Sequence, residues 1–212
     1  MVSAVDIASS LKGIIAGHSM PSTEDWPDLE YIGAGRSAVV FRIKSTNKAL
    51  KLFYPEFEEV ALEEAAIYRV LQGNPYYPTL YEAGDNFLLI DYIEGRTLFE
   101  CLTIGERISE MHIKEVDRAL AYAKEKGLTP SDIHLRNIIL TNEGNIRLID
   151  VARFRQNRSC QQWNDLKRVY YSFYNKPFFP KRIPTQVLDS IAVTYKKFLE
   201  PLSERLMDRD AG

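Results

Sequence analysis

Two short apolar runs, Ile138-Ile139-Leu140 and Ile146-Arg147-Leu148-Ile149, stand on either side of Thr141-Asn142-Glu143-Gly144. Apolar runs bounded by turn formers read as paired strands. This pairing constrains the chain more than any other feature, because it brings the residues before the first run and after the second to one end of a hairpin. Those residues are Asp132-Ile133-His134-Leu135-Arg136-Asn137 and Asp150.

Two carboxylates and an amide so spaced can converge on a polyphosphate and its Mg²⁺ with a base beside them, as phosphoryl transfer requires. Mg²⁺ takes hard oxygen ligands and keeps several waters, so one or two protein oxygens supplement those of the phosphates. Asn137 and Asp150 would serve. Asp132 would face the attacking hydroxyl and accept its proton. Asp and Asn are also common turn formers and caps, so this segment by itself leaves both readings open.

Upstream, Ile32-Gly33-Ala34-Gly35-Arg36-Ser37-Ala38-Val39-Val40-Phe41 reads as strand, turn and strand. Its glycines suit backbone that approaches phosphates closely, and equally suit an ordinary hairpin. Ala49-Leu50-Lys51-Leu52-Phe53 then sets one Lys inside an apolar strand. Lys is rarely buried without a partner, so its face is solvated or it meets an anion. From Glu56 to Leu71 the spacing of Val60, Glu64, Ile67 and Leu71 predicts a helix with Glu64 on its apolar stripe. A carboxylate there needs a cation, and Lys51 is the economical candidate.

The order of these parts resembles the protein-kinase-like superfamily over roughly residues 29 to 175. The resemblance implies an α+β, two-lobed fold, with a small antiparallel-sheet N-lobe carrying one main helix and a compact, mostly helical C-lobe. It implies a glycine-rich loop at Gly33, Ala34, Gly35, Arg36, Ala38 and Val40, and a phosphate-holding Lys51 with Glu64 as its ion-pair partner. Ile90-Asp91-Tyr92-Ile93 would be the hinge that meets adenine, Asp132 the base, and Asn137 and Asp150 the metal ligands. ATP and Mg²⁺, with Mn²⁺ an alternative, are the implied cofactors.

The departures point within the superfamily. The third loop glycine is Ala38, Pro130-Ser131-Asp132 replaces His-Arg-Asp, and Asp150-Val151-Ala152 replaces Asp-Phe-Gly. His134, where eukaryotic protein kinases carry Lys, joins the catalytic set. Asp-x-His-x-x-Asn is closer to aminoglycoside phosphotransferases, lipopolysaccharide kinases, and small Rio-type and tRNA-modification-complex kinases. No Ala-Pro-Glu follows Asp150, and the next helical pattern starts about a dozen residues on. With no Arg before Asp132, switching by a phosphorylated activation loop is not expected. Asp165 corresponds either to the Asp that supports the catalytic-loop backbone or to an exposed acid in a first helical turn.

The 212 residues suffice for two small lobes, expected at 28–94 and 95–212 after an extension at 1–27 that is helical up to Ala16 and ends in the loop His18 to Pro27. Strands are expected near 28–33, 37–44, 48–54, 79–83 and 86–92. Helices are expected near 57–72, from Ile113 to Gly127, near 161–175 and near 184–207. Twenty-seven basic and 29 acidic residues argue against bulk nucleic-acid attraction. Cys101 and Cys160 are too few for a disulfide scaffold, and residues 1–20 lack a basic start and a sustained apolar block, so a cytoplasmic protein without a spanning segment is expected. With three His, including His18 and His112, zinc is not expected.

Only about thirty residues separate hinge from catalytic loop, which leaves little chain for a closed acceptor pocket. A protein Ser or Thr hydroxyl is therefore the favoured acceptor. The rivals are a small-molecule or lipid-head-group kinase, and a nucleotide-binding regulator or ATPase acting within a partner complex. Tyr76, Tyr77 and Tyr81 are expected to pack beneath the hinge. Phe173, Tyr174, Phe178 and Phe179 are assigned to the second-lobe core or a partner contact, and Lys196, Lys197 and Arg205 to Arg209 to solvated helix faces.

Overall fold

The computed structural model describes residues 3–16, 26–156 and 160–195. Two compact units divide the chain, one of residues 1–94 with 149–155, the other of 95–148 with 156–212. The class is the α+β expected, with an antiparallel sheet in the first unit and mostly helices in the second.

In the first unit, α1 (Ala4–Ala16) precedes β1 (Leu29–Ala34), β2 (Ala38–Ile43) and β3 (Lys48–Phe53). A 3-10 turn at Pro55–Phe57 leads into α2 (Glu58–Leu71), followed by β4 (Leu80–Ala83) and β5 (Phe87–Asp91). The sheet order is β1-β2-β3-β5-β4, antiparallel throughout. Side chains alternate across a strand, so Leu50 and Leu52 face away from Lys51. Their cross-strand partners Phe41, Val39, Leu89 and Phe87 continue that face. It is covered by Ala4, Ile7, Ala8, Leu11 and Ile15 of α1, all buried in one apolar cluster with it. Lys12 of α1 also reaches Glu58, in the first turn of α2, at 2.7 Å.

In the second unit, β6 (Gly95–Thr97), β7 (Ile138–Thr141) and β8 (Ile146–Leu148) form a small sheet in that order. Gly95 is required: a Cβ there would stand 2.2 Å from the Leu140 carbonyl oxygen. Helix α3 (Leu98–Ile104) starts on a capping box in which Thr97 Oγ1 accepts from Glu100 N–H and Glu100 Oε2 from Thr97 N–H. Helix α4 (Glu110–Glu125) buries Ile113, Val116, Ala119, Leu120 and Ala123, and Gly127 follows it at φ 78°. Its Glu115 accepts from the Ile146 N–H of β8.

The helix expected over 161–175 is shorter: α5 (Gln162–Val169) gives way to a π-helical turn at Tyr170–Tyr174. Tyr174 is buried there, its hydroxyl accepting from Ile108 N–H, whereas Phe173 and Phe178 are exposed. Helix α6 spans Thr185–Thr194, and the rest of the expected 184–207 helix, with Lys196, Lys197 and Arg205 to Arg209, lies outside the described residues. So do His18 and most of the loop expected at 18–27.

Candidate active site

Lys51 lies on the face of β3 opposite α1, and its side chain is 11% exposed. Its Nζ donates to both Glu64 oxygens, at 2.8 and 2.6 Å, and to Asp150 Oδ1 at 3.2 Å. Glu64 is fully buried on α2, while Asp150 keeps a side chain 48% exposed. One ammonium between two carboxylates leaves a net negative charge, half-open on the Asp150 side. Burial pushes the Glu64 carboxyl up to about 6, against the pull of Lys51. Burial also works against the Lys51 charge, but the two carboxylates outweigh it and hold the ammonium above its ordinary value.

The glycine turn lies in the same unit. Gly35 N–H donates to the Ala38 carbonyl at 2.8 Å, and Ala34, Gly35 and Arg36 are exposed while Ala38 is buried. Neither Gly33 nor Gly35 has a positive φ. A Cβ on Gly33 would meet nothing within 4 Å, and one on Gly35 only the Ala38 carbonyl at 3.9 Å. The protein's own packing therefore does not demand these glycines. Val40 stands opposite Lys51 in the β2–β3 register.

Ile90 and Asp91 end β5. The Asp91 N–H donates to the Thr79 carbonyl at 3.1 Å and the Tyr92 N–H to the Asn47 carbonyl at 2.9 Å. Ile93 N–H has no such partner among the described residues. The side chains are pinned as well. Asp91 accepts from Thr79 N–H and the Tyr81 hydroxyl, and Arg42 lies over the Tyr92 ring while pairing with Glu94. Tyr81 is thus an exposed strut, whereas Tyr77 is buried against Phe154.

In the second unit, the loop before β7 winds on itself. Asp132 adopts φ 59°, and its carbonyl accepts from His134 N–H at 3.1 Å and Asn137 Nδ2 at 3.3 Å. The amide nitrogen of Asn137 is thereby committed, so its oxygen is the end that can serve a cation. His134 Nε2 lies 3.8 Å from Asp132 Oδ1. Leu135 accepts from Phe99 N–H of α3, and Arg136 stacks 3.4 Å over Phe99 and pairs with Asp189. Asp165 accepts from Arg168 and the Tyr195 hydroxyl.

No cluster of three or more His, Cys, Asp or Glu side chains among the described residues could cage a metal. Asn137, in the second unit, and Asp150, in the first, each carry a hard oxygen of the kind Mg²⁺ takes beside ligands supplied by a polyphosphate. Sequence reasoning missed Arg155, whose Nη1 lies 3.5 Å from Glu63 Oε1. The consecutive acids Glu63 and Glu64 were the available signal.

No family model matches the chain. YrzF of Bacillus subtilis (strain 168), provisionally named a serine/threonine-protein kinase, is 51% identical over 172 residues, 80% of this chain and 80% of that protein. The serine/threonine-protein kinase greatwall of Mus musculus is 26% identical over 188 residues, which are 84% of this chain but only 21% of greatwall. The crystal structure of WbdD is similar in fold, with a TM-score of 0.53 at 21% identity over 70% of this chain and 38% of WbdD. The chain therefore belongs to the protein-kinase-like superfamily, as an ATP-dependent kinase whose relatives are named for serine and threonine.

Proposed function

We propose that the protein transfers the γ-phosphoryl group of ATP to a serine or threonine hydroxyl of a protein. The observation that carries this reading is the buried Lys51 ammonium held between Glu64 and Asp150. Lys51, fixed by Glu64, would hold the nucleotide phosphates, with the Gly33–Ala38 turn over them. The Ile93 N–H and a hinge carbonyl would meet adenine. Asn137 and Asp150 would hold Mg²⁺, or Mn²⁺, which when bound neutralises charge on the phosphate oxygens. Asp132 would take the acceptor's proton, with His134 beside it. A protein acceptor is favoured because β6, α3 and α4 are the only elements between the hinge and the Asp132 loop, too few to wall a small-molecule pocket. We place the protein in the cytoplasm, where Cys101 and Cys160 stay reduced; no described helix is long and apolar enough to cross a membrane.

The test is thermal unfolding with ATP and Mg²⁺, followed by transfer from γ-labelled ATP into a cell lysate. Ligand at a hundred times its dissociation constant adds about 2.7 kcal/mol, and each kcal/mol moves the midpoint by roughly 2–4 °C. Asp150→Asn should lose the shift and the transfer. Asp132→Asn should keep the shift and lose transfer by about 10²–10⁴. No shift with any nucleotide and either metal sinks the nucleotide site. Label in lipid or metabolite, or free phosphate alone, replaces the protein acceptor by one of its rivals.

A further inference from the structure

Residues 149–155 group with the first unit, although β7 and β8, which lead into them, belong to the second. The ties are specific. Asp150 meets Lys51, and the Val151 N–H pulls down the Glu64 carboxyl. Phe154, 1% exposed, stacks edge-on against Tyr77 at 6.2 Å, and its N–H closes a turn onto the Val151 carbonyl at 2.9 Å. Arg155 then reaches Glu63 on α2.

We propose that Glu63 and Arg155 are positioning residues for phosphoryl transfer, a tether that sets the rotation of α2 about its own axis. Successive helix residues point about 100° apart. Glu64 anchors the helix inward to Lys51 of β3, and Glu63 anchors the adjoining face to the segment that carries Asp150. With both cations engaged, α2 cannot roll without breaking one pair, so the Lys51–Glu64 contact stays made. Both tether side chains are partly exposed, at 45% and 41%, so the pair contributes little to stability and its effect falls on geometry.

The inference rests on the proposed transfer reaction, and the experiment separates the two. ADP formation is followed at saturating Mg²⁺-ATP with dephosphorylated casein, for the wild type, Glu63→Arg, Arg155→Glu and the double charge swap. Each single reversal is expected to lower kcat by roughly five- to tenfold with KM for ATP within about threefold, and the swap to restore most of the loss. Rescue of kcat by the swap, with ATP-induced thermal stabilisation kept in all four proteins, is a pattern that a merely structural pair does not give. Single variants within twofold of wild type, or a swap no faster than the slower single, overturn the tether while leaving the kinase reading intact. A wild type that forms no ADP overturns both.

Discussion

Asp132 and Asp150 share a positive backbone φ, 59° at the first and 58° at the second. This left-handed region costs an ordinary L-residue roughly 1–2 kcal/mol, though Asp and Asn enter it most readily. Among the described residues, Ser45 is the one other non-glycine found there. The two strained acids are those assigned to proton acceptance and metal binding, and such strain persists where surrounding bonds over-determine the backbone. At Asp132 those bonds are the two donated to its carbonyl.

Replacing Asp132 therefore separates strain from chemistry. Asp132→Ala keeps a Cβ in the left-handed region and Asp132→Gly does not, so the glycine variant should be the more stable by about 1 kcal/mol, or roughly 2–4 °C. Both should lose transfer. Calorimetry without nucleotide measures the first statement; equal midpoints would mean that the loop relaxes out of φ 59° once the carboxylate is gone.

Lys51 and Glu64 should be equal in activity and unequal in stability. Lys51→Met and Glu64→Gln each break the contact that the proposed function uses to hold the nucleotide phosphates, so both should lose transfer by similar factors and the double variant little more. Lys51→Met leaves a fully buried carboxylate facing Asp150 with no cation, a loss on the order of 3–5 kcal/mol. Glu64→Gln leaves Lys51 its contact with Asp150 and should cost clearly less. Urea unfolding of the three variants settles the ranking, and additive activity losses would detach Glu64 from the function of Lys51.

The raised Glu64 carboxyl gives the nucleotide-free fold an acid-side signature. Its folded value of about 6 exceeds the ordinary 4.5, so the folded state binds this proton more tightly than the unfolded chain does. That contribution is fully present below pH 4.5 and is lost as pH rises through 6, a change of about 2 kcal/mol. The stability of wild type relative to Glu64→Gln should accordingly fall across that window and level off above it. A difference that rises with pH would show that Lys51 dominates Glu64 and pulls it below 4.5.

Helix α1 should act as part of the core. Leu11 is fully buried in the cluster beneath β3 and β5, so Leu11→Ala should cost about 2–5 kcal/mol. Lys12→Ala, which removes a surface pair, should change stability by less than about 1 kcal/mol. A tolerated Leu11→Ala would mean that α1 detaches in solution.

What could be read from the chain alone follows from how local each signal is. Lys51 and Glu64 announce themselves because each sets a charge on an apolar stripe, and a buried charge requires a partner. Alternation and turn chemistry likewise mark β1 to β5 closely, since a period of two needs only neighbours. Helix α3 escapes the periodicity because seven residues hold barely two turns, although Thr97 and Glu100 spell its capping box. The apolar spacing of α1 shows a helix but not the sheet face it covers. The captured N–H groups of Asp91 and Tyr92, and the Arg155 to Glu63 contact, depend on which segments tertiary packing brings together. No window of sequence carries that.

The cover that α1 gives the sheet also orders events on the ribosome. Phe87 and Leu89, which complete its docking face, are made about 75 residues after Leu11, a delay of roughly 4–15 s at 5–20 residues per second. Through that interval the apolar side of α1 has no sheet to close against, and the nascent chain presents it to whatever waits at the exit tunnel. Helix α1 thus cannot complete its packing until β5 has been made.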